Sequence, residues 1–409
     1  MIEVNRAEDC CGCAACADAC PVNCIRMAEN AEGFTYPRVD ATVCIECGRC
    51  ERICPSLAEE SGAPALSAYA ARTTDPDVLL NSSSGGVFTE LCRQVLDDGG
   101  VVYGVAMDAD CRGCSFARAD TLGGIAPMRG SKYMQADGRG VYGKVLDDLR
   151  AGRMVLFSGV PCQVNALVRL VGARRDNLVA VDCICHGVPS PKLWSEHVNH
   201  LETTRCAKVT SVGFRCKEIS WRRFGLKASV GNEAVFQPLE RSSYLRMFLR
   251  DYCLRPSCYA CKAKMLRLAD MTIADFWGIE NVVPEMSDEL GCSLAIARTD
   301  AGAAVLEAAS SGLEMREVHY EDAVRSNRAE HSSAIRPPER DRFFEDLDQL
   351  GYAAVERKYG SPDLKERSKW AVKDALAAIG LLDVVRKLRG RVSVNEFRYG
   401  MLIKYGKDD

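Results

Sequence analysis

The chain has 409 residues and is 47% hydrophobic, which is long enough for two or three globular domains and excludes a single small module. The net charge of −3 hides a division, because residues 1–60 carry eleven acidic and five basic side chains whereas residues 205–267 carry four acidic and fourteen basic ones. The basic segment indicates either a solvated face or a surface for a polyanionic cofactor or substrate. No recognised nucleic-acid-binding module accompanies it, so we expect no nucleic-acid partner.

Cysteine is unusually frequent, with 22 residues. The N-terminus shows no charged region followed by an apolar core, and no uncharged apolar stretch approaches the length that spans a bilayer. Free thiols persist in reducing compartments and tolerate oxygen badly. We therefore expect a cytoplasmic protein of an anaerobe, without a transmembrane segment and with thiols rather than disulfides.

Two near-identical cysteine runs form the first predicted element, and each ends in Cys-Pro. Their spacing is the bacterial ferredoxin pattern, in which three cysteines bind one cluster and the fourth binds the other. Structural zinc fits this pattern poorly, because zinc does not need a third cysteine and a Cys-Pro in each run. We predict two [4Fe-4S] clusters, one on Cys10, Cys13, Cys16 and Cys54, and one on Cys44, Cys47, Cys50 and Cys20.

The first 58 residues are therefore predicted to form a dicluster ferredoxin domain with short strands at 24–27 and 34–38. The Gly, Pro and small residues of 59–66 indicate a linker. Residues 346–409 are predicted to be a helical C-terminal extension, in which residues 370–390 form an amphipathic docking helix.

Residues 67–345 alternate between helix-like and strand-like segments, which predicts an α/β layer with a partly parallel sheet. The complete fold class is thus a ferredoxin-like module followed by a larger α/β domain, in a mixed α+β and α/β architecture. Helices are predicted near 84–98, 140–151, 162–171 and 191–202, and strands at 101–107, 154–159, 178–184 and 271–278. Shorter strands are expected within 205–245.

Two polar motifs of this domain suit a phosphate-bearing cofactor. Ser83, Ser84, Gly85 and Gly86 precede a predicted helix, where serines cap the helix and glycines let a ligand approach backbone N–H groups. Capping alone is the alternative. In the second motif, Gly130-Ser131-Lys132, the lysine could neutralise a phosphate or hydrogen-bond a flavin ring, or simply lie on the surface.

Two further polar residues have two interpretations each. Asp275 could orient a ligand or cap a turn. His186 could be a general acid or a hydrogen-bonded structural histidine. Lys132 and His186 are the weak catalytic candidates of the chain.

Cysteines also follow predicted strands in the large domain. Cys162 and the pair Cys183 and Cys185 lie where strands end, which is where ligands bind in open α/β sheets. A proline-fixed loop adds Cys258 and Cys261 at C-x2-C spacing. We predict a third [4Fe-4S] cluster on Cys162, Cys185, Cys258 and Cys261. Zinc, or a redox dithiol at the C-x2-C pair, competes with that interpretation.

Taken in order, eight segments resemble the coenzyme F-420 hydrogenase/dehydrogenase beta subunit family, which also includes plant 7-hydroxymethyl chlorophyll reductase. They are SSSGGVFTEL, GGVVYGVAMD, RGSKYMQAD, VLFSGVPCQVNAL, VDCICHGVPSP, LRPSCYACKAK, MTIADFWGI and GCSLA. The resemblance covers residues 66 to about 345. It implies an FAD-containing iron–sulfur flavoprotein oxidoreductase that exchanges electrons with a hydride carrier, which is F-420 in methanogen members.

The resemblance also assigns residues. The Ser83 to Gly86 and Arg129 to Lys132 segments match motifs at the family's flavin site, and the four cysteines of the third set fall on family cysteines. Cys183, Cys216 and Cys253 depart from the family pattern.

The predicted function follows from both arguments. A redox partner protein, which is a hydrogenase, dehydrogenase or ferredoxin, exchanges electrons with the dicluster module. Electrons are predicted to pass between the [4Fe-4S] clusters and FAD, and to or from a small-molecule hydride carrier, F-420-like or other. The alternatives are a non-catalytic electron-relay subunit and an accessory protein in surface-polysaccharide biosynthesis.

Overall fold

A computed structural model describes residues 1–59, 62, 64–173, 175–363 and 366–368. In chain order its strands are β1 Ile25–Glu29, β2 Thr35–Val39, β3 Ser67–Thr73, β4 Val101–Met107, β5 Cys114–Ala119, β6 Val155–Gly159, β7 Leu178–Cys183, β8 Val209–Cys216, β9 Gly225–Val230, β10 Glu233–Pro238, β11 Met271–Asp275, β12 Ser293–Ala297 and β13 Leu313–Val318. The predicted strands of both domains are confirmed to within three residues at each end.

The helices agree equally well with the predicted segments. They are α1 Ala15–Asp18, α2 Arg49–Arg52, α3 Pro76–Leu80, α4 Val87–Asp97, α5 Val141–Arg150, α6 Pro161–Val171, α7 Pro191–Arg205, α8 Ser243–Leu249, α9 Ala263–Leu266, α10 Asp300–Ala308, α11 Tyr320–Val324, α12 Arg340–Leu350 and α13 Tyr352–Val355. Within the described part of the chain, no helix has the length and apolar character needed to cross a membrane.

An eight-stranded sheet with the order β13-β3-β12-β11-β7-β6-β4-β5 organises the large domain. The pairs between β4, β6, β7 and β11 are parallel and the outer pairs are antiparallel, which confirms the predicted partly parallel sheet. The parallel strands are apolar on both faces, as buried parallel strands must be. Helices α5 and α6 cover one face, and α4 and α10 cover the other.

A second, antiparallel sheet of β8, β9 and β10 packs against an aromatic core. Trp194 of α7, Phe214 of β8 and Tyr244 of α8 meet in this core, and Phe343 of α12 joins them. Helix α12 spans the predicted domain boundary at 345/346, and its apolar face packs into the core of the large domain. The predicted docking helix at 370–390 lies outside the described residues.

The N-terminal module is not a separate body on a free linker. Its hairpin residues Phe34 and Tyr36 are buried in the same aromatic core, and Cys13 and Ala15 pack against α5 and α6. In the predicted linker, Gly62 N–H donates to Met265 O at 2.9 Å. These contacts fix the cysteine runs against the large domain.

Candidate metal centres

The first predicted set lies at the interface with the large domain. Cys16 interacts electrostatically with Cys10 and Cys54, and Cys13 interacts with Cys16, so the four thiols are neighbours. Burial raises the pKa of the Cys54 thiol to about 11. Backbone N–H groups point at these sulfurs, as that of Gly12 does at Cys10 Sγ at 3.4 Å. Such N–H donors suit sulfurs that carry charge when they bind iron.

The second set surrounds a cavity at the far end of the module. Cys20, Cys44, Cys47 and Cys50 line it together with a fifth thiol, Cys24. The Cys24 and Cys20 sulfurs are 3.4 Å apart, and Cys24 N–H also donates to Cys20 Sγ. Cys47 is exposed, and its neighbour Ile45 is 60% exposed. The fold thus brings Cys54 to the first three cysteines and Cys20 to the second three, and it is the second set that reaches the surface, at Cys47.

The third set comes together from three loops. Cys162 interacts electrostatically with Cys185 and Cys261, and Cys258 interacts with both of these. Burial raises the pKa of Cys185 to about 11 and that of Cys258 to about 12. Val188 N–H donates to Cys258 Sγ at 3.4 Å. These are the four residues that the sequence assigns to one cluster.

Cys11 connects the first and third sets, and no sequence argument singled it out. Its thiol interacts with Cys13 of the first set and with Cys162 of the third. These interactions lower the pKa of Cys11 and raise those of both partners. The only signal in the sequence is its position beside Cys10. The two predicted cluster sites are therefore direct neighbours.

Among the described residues, no three Cys, His, Asp or Glu side chains converge closely enough to hold one metal ion. A zinc ion needs four ligands within about 2.3 Å of one atom. A cubane distributes its cysteines over four iron atoms and needs a wider set.

Two of the three cysteines that depart from the family pattern lie away from these sets. Cys253 is fully buried in the aromatic core, and Cys216 ends β8 beside Lys227 and Glu218. Cys183 lies next to the third set, where it interacts with Cys185. Of these three cysteines, Cys183 is therefore the remaining candidate for an alternative ligand of the third set.

The two predicted cofactor motifs meet in the fold. Ser131 N–H donates to Ser83 Oγ at 2.8 Å, and the two hydroxyl oxygens are 3.2 Å apart. Gly130 adopts a left-handed backbone with φ +80°, which turns the second motif toward the first. Ser84 Oγ donates to Cys292 O. Residues 48 positions apart thus form one polar edge.

Several donors of this edge are already bonded within the protein. Gly85 N–H donates to Ser293 Oγ at 2.8 Å, and a Cβ at Gly85 would lie 2.5 Å from Ser293 N. The expected serine cap is wrong, because Gly86, at φ +84°, is the N-cap of α4 and no side chain caps it. Both glycines permit close packing of α4 against β3 and β12.

Lys132 is engaged in the same way. Its ammonium group donates to the carbonyls of Pro127, Met128 and Arg129 at 2.8–2.9 Å. Burial lowers the pKa of Lys132 to about 8. The side chain therefore ties its own loop together and is not a simple surface lysine.

A buried ion pair beside this edge was missed by sequence reasoning. The Arg215 guanidinium binds both carboxylate oxygens of Asp275, at 2.6 and 2.8 Å, and also donates to Ser83 O. Trp221 Nε1 donates to Asp275 Oδ1 and its ring stacks on Trp277. Asp275 thus orients protein groups around the motif edge.

Ion pairs with carboxylates also hold other basic side chains of the segment 205–267. Arg222, Arg223 and Lys227 form ion pairs with Glu280, Glu240 and Glu218. The segment is therefore not a uniformly solvated basic face.

His186 follows Cys185 and is partly exposed. Its Nε2 lies 2.5 Å from Asp251 Oδ1, and its ring meets Phe248 edge-on at 5.4 Å. Both the acid and the structural interpretation of His186 require a hydrogen-bonded ring, so this contact is compatible with either.

Three family models match parts of this chain. Residues 9–58 match the 4Fe-4S dicluster domain. Residues 68–139 and 152–322 match the N-terminal and C-terminal parts of the coenzyme F-420 hydrogenase/dehydrogenase beta subunit. Together the two beta subunit matches cover more than half of the chain.

Two curated relatives match a short part of the chain. A 7Fe ferredoxin of Hydrogenibacillus schlegelii is 45% identical over 42 residues, which are 10% of this chain and 47% of that protein. The chain thus spans about half the length of that relative. A protein encoded in the rpl9-rpl11 intergenic region of Porphyra purpurea is 39% identical over 51 residues, which are 12% of this chain and 68% of that protein.

A solved structure of the F-420-reducing [NiFe] hydrogenase complex from Methanosarcina barkeri aligns with 73% of this chain and 92% of its own, at 19% identity and a TM-score of 0.45. The dicluster match and the gathered cysteines support the presence of iron–sulfur clusters. The chain belongs to the coenzyme F-420 hydrogenase/dehydrogenase beta subunit family and carries a 4Fe-4S dicluster domain at its N-terminal end.

Proposed function

We propose that the protein is an iron–sulfur flavoprotein oxidoreductase in which single electrons pass between the second, first and third cysteine sites and a flavin at the Ser83 and Ser131 edge. The observation that supports this order most directly is Cys11, which contacts Cys13 of the first site and Cys162 of the third. The exposed second site is the position at which a redox partner protein reaches the chain.

The cysteines of the three sites would hold the clusters as thiolates. The N–H donors at Cys10, Cys44, Cys20 and Cys258 stabilise charge on those sulfurs. The large domain packs against the first site and carries the third, so both are more buried than Cys47 of the second. A [4Fe-4S] cluster supplies one-electron transfer.

FAD supplies the conversion between single electrons and a hydride, which clusters do not provide. Support for it is the family match and the contact between Ser83 and Ser131. Ser83, Gly130 and Ser131 are the residues that would contact it. The Gly85 N–H and the Lys132 ammonium group already donate hydrogen bonds within the protein, so no phosphate contact is assigned to them. The acceptor is a small hydride carrier, for which F-420 is one candidate.

An electron-relay subunit without flavin is the second candidate. The internal bonding of Gly85 N–H and of Lys132 favours it, because these donors were expected to bind the flavin phosphate. Intact clusters in a protein without bound flavin would establish it.

Anaerobic reconstitution tests the proposal. We expect about eight to twelve iron atoms and one FAD per chain. The Cys258→Ser variant should lose about four iron atoms and keep the ferredoxin clusters. Cys253→Ser is the matched control and should keep all of the iron, since Cys253 lies in the aromatic core. Iron near four or below in the unmodified protein, or zinc in its place, would contradict the proposal.

A further inference from the structure

A buried guanidinium lies between the first and third sites. Arg255 is 0% exposed and immediately precedes the loop that carries Cys258 and Cys261. It donates to Cys10 O at 2.7 Å, Thr35 O at 2.9 Å and Gln135 Oε1 at 2.9 Å. Its charge therefore reaches into the N-terminal module from the large domain.

Aromatic rings and backbone close the rest of its surroundings. The guanidinium lies 4.3 Å from the ring centre of Tyr36 and 5.3 Å from that of Phe34. Gln135 Nε2 in turn donates to the carbonyls of Cys11 and Gly12. Arg255 thus sits under the loop that holds the first set of thiols.

This cation has no carboxylate partner among the residues that the structure describes. Glu32, the carboxylate of the adjacent hairpin, is held by both terminal nitrogens of Arg340. Burying an unpaired charge costs several kcal/mol, on the order of the whole stability of a domain, unless a charge of opposite sign is near. A countercharge must therefore come from another group.

The groups that can supply it are the thiols around Arg255. Arg255 interacts electrostatically with Cys10, Cys11 and Cys258. Iron binding requires thiolates, and the net charge around a cluster is one of the factors that set its potential. The buried cation and the cluster sites therefore fit each other electrostatically.

The second site offers an internal contrast. There Arg52 donates to Cys47 O at 2.9 Å, so that an arginine again contacts the carbonyl of a predicted ligand. This contact is exposed, and water screens its charge.

We propose that Arg255 is a positioning residue: its guanidinium is the countercharge of the first cluster and raises that cluster's reduction potential above that of the second. An electron that reached the second cluster would then pass to the first. The second cluster would be reoxidised and the first reduced, and no proton would be transferred and no bond formed or broken. The inference rests on the proposed function, because it needs clusters at these cysteines. It adds a direction: electrons move inward from the exposed site.

Potentiometric titration monitored by electron paramagnetic resonance tests this inference on the full-length reconstituted protein. We expect Arg255→Gln to lower the midpoint potential of the first cluster, to lower that of the third cluster less, and to leave the second unchanged. Arg52→Gln is the matched control and should leave all three potentials unchanged. Cys47→Ser and Cys258→Ser identify the signals of the second and third clusters.

Arg255→Lys keeps the charge and separates its effect from packing. We expect its first-cluster potential to stay close to that of the unmodified protein. This variant also decides the matter if Arg255→Gln does not retain iron, because a large fall in its potential would contradict the countercharge role. Equal shifts in Arg255→Gln and Arg52→Gln, or unchanged potentials with all clusters intact, would overturn the inference. Absence of clusters from the unmodified protein would instead refute the proposed function.

Discussion

The two halves of the N-terminal module have the same backbone conformation but different surroundings. Ala14 and Gly48 precede their four-residue helices with φ +69° and +66°, and Gly12 and Glu46 both have positive φ in the loops before them. The first half lies beneath the large domain, whereas the second half opens to the surface at Cys47. A repeated sequence therefore builds the same cysteine loop twice, and the surrounding chain decides what each loop can do.

Glycine substitution gives the largest expected contrast between the halves. A Cβ at Gly12 would lie 2.6 Å from the Arg255 guanidinium carbon, whereas one at Gly48 would be 3.2 Å from the exposed Arg52. We expect Gly12→Ala to destabilise the protein by about 3 kcal/mol, from backbone strain and overpacking together. Gly48→Ala should cost only about 1 kcal/mol, from strain alone.

Thermal unfolding of the iron-loaded variants measures this difference. The presence of Glu46 at positive φ, in the position equivalent to Gly12, indicates that the contact with Arg255 and not the conformation requires glycine at position 12. Equal destabilisation by both alanines would contradict this explanation.

Exposure to oxygen and a chelator should release iron from the first and second sites at different rates. Because Cys47 is exposed and the first site is covered, we expect on the order of four iron atoms to be released from the second site before the rest. Iron release into EDTA during air exposure, followed with time, should show two phases. Cys47→Ser should remove the fast phase. A single phase for all of the iron would show that burial does not protect the first site.

The contrast between buried and exposed groups extends to two histidines of α7. His197 is 1% exposed, and burial lowers its pKa to about 3, below the ordinary value of 6.5. The folded state therefore binds fewer protons than the unfolded state, so stability is complete above pH 6.5 and falls as the pH drops toward 3. Between pH 6.5 and 5 the loss should be about 2 kcal/mol.

Denaturant unfolding at pH 6.5 and pH 5 measures that loss. His197→Asn should remove this part of the pH dependence. His200→Asn is the control one helical turn away, since His200 is partly exposed, and should preserve it. An unchanged pH dependence in His197→Asn would disprove the assignment to His197.

The smallest expected effect on stability comes from the contact that holds the first half of the module against α5. The Asp18 carboxylate accepts the N–H groups of Gly140 and Tyr142 at 2.8 and 3.0 Å, and so caps α5 from another part of the chain. Asp18→Ala should cost about 1 kcal/mol, as loss of a helix cap does. Asp40→Ala, in an exposed turn beside the second half, should cost less than about 0.5 kcal/mol. Unfolding midpoints compare the two, and equal values would exclude the capping role.

Local patterns in the sequence predicted much of this molecule. Apolar periodicity located strands such as β4 and β6, because buried parallel strands are apolar on both faces. Cysteine spacing predicted the first two sets of thiols, and the third set combined a C-x2-C pair with Cys162 and Cys185, which follow predicted strands. Both signals act over short distances along the chain or follow a known spacing.

Contacts between distant segments were not predictable in this way. Arg255 and Cys10 are separated by 245 positions, and nothing near either residue indicates their contact. Gly85 was expected to approach a ligand, but it approaches Ser293 because β12 lies beside β3 in the folded sheet. The packing of α12 into the core of the large domain was not predictable, because its aromatic face looks like an ordinary amphipathic pattern until its partners are known.

The burial of Phe34 and Tyr36 connects cluster insertion in this protein with its folding. Both rings are buried in the aromatic core of the large domain, and Cys13 and Cys16 of the first site are buried with the module in place. These thiols are therefore more accessible to iron before the hairpin packs against the large domain. We expect biogenesis to begin with an open chain whose N-terminal segment is loaded first.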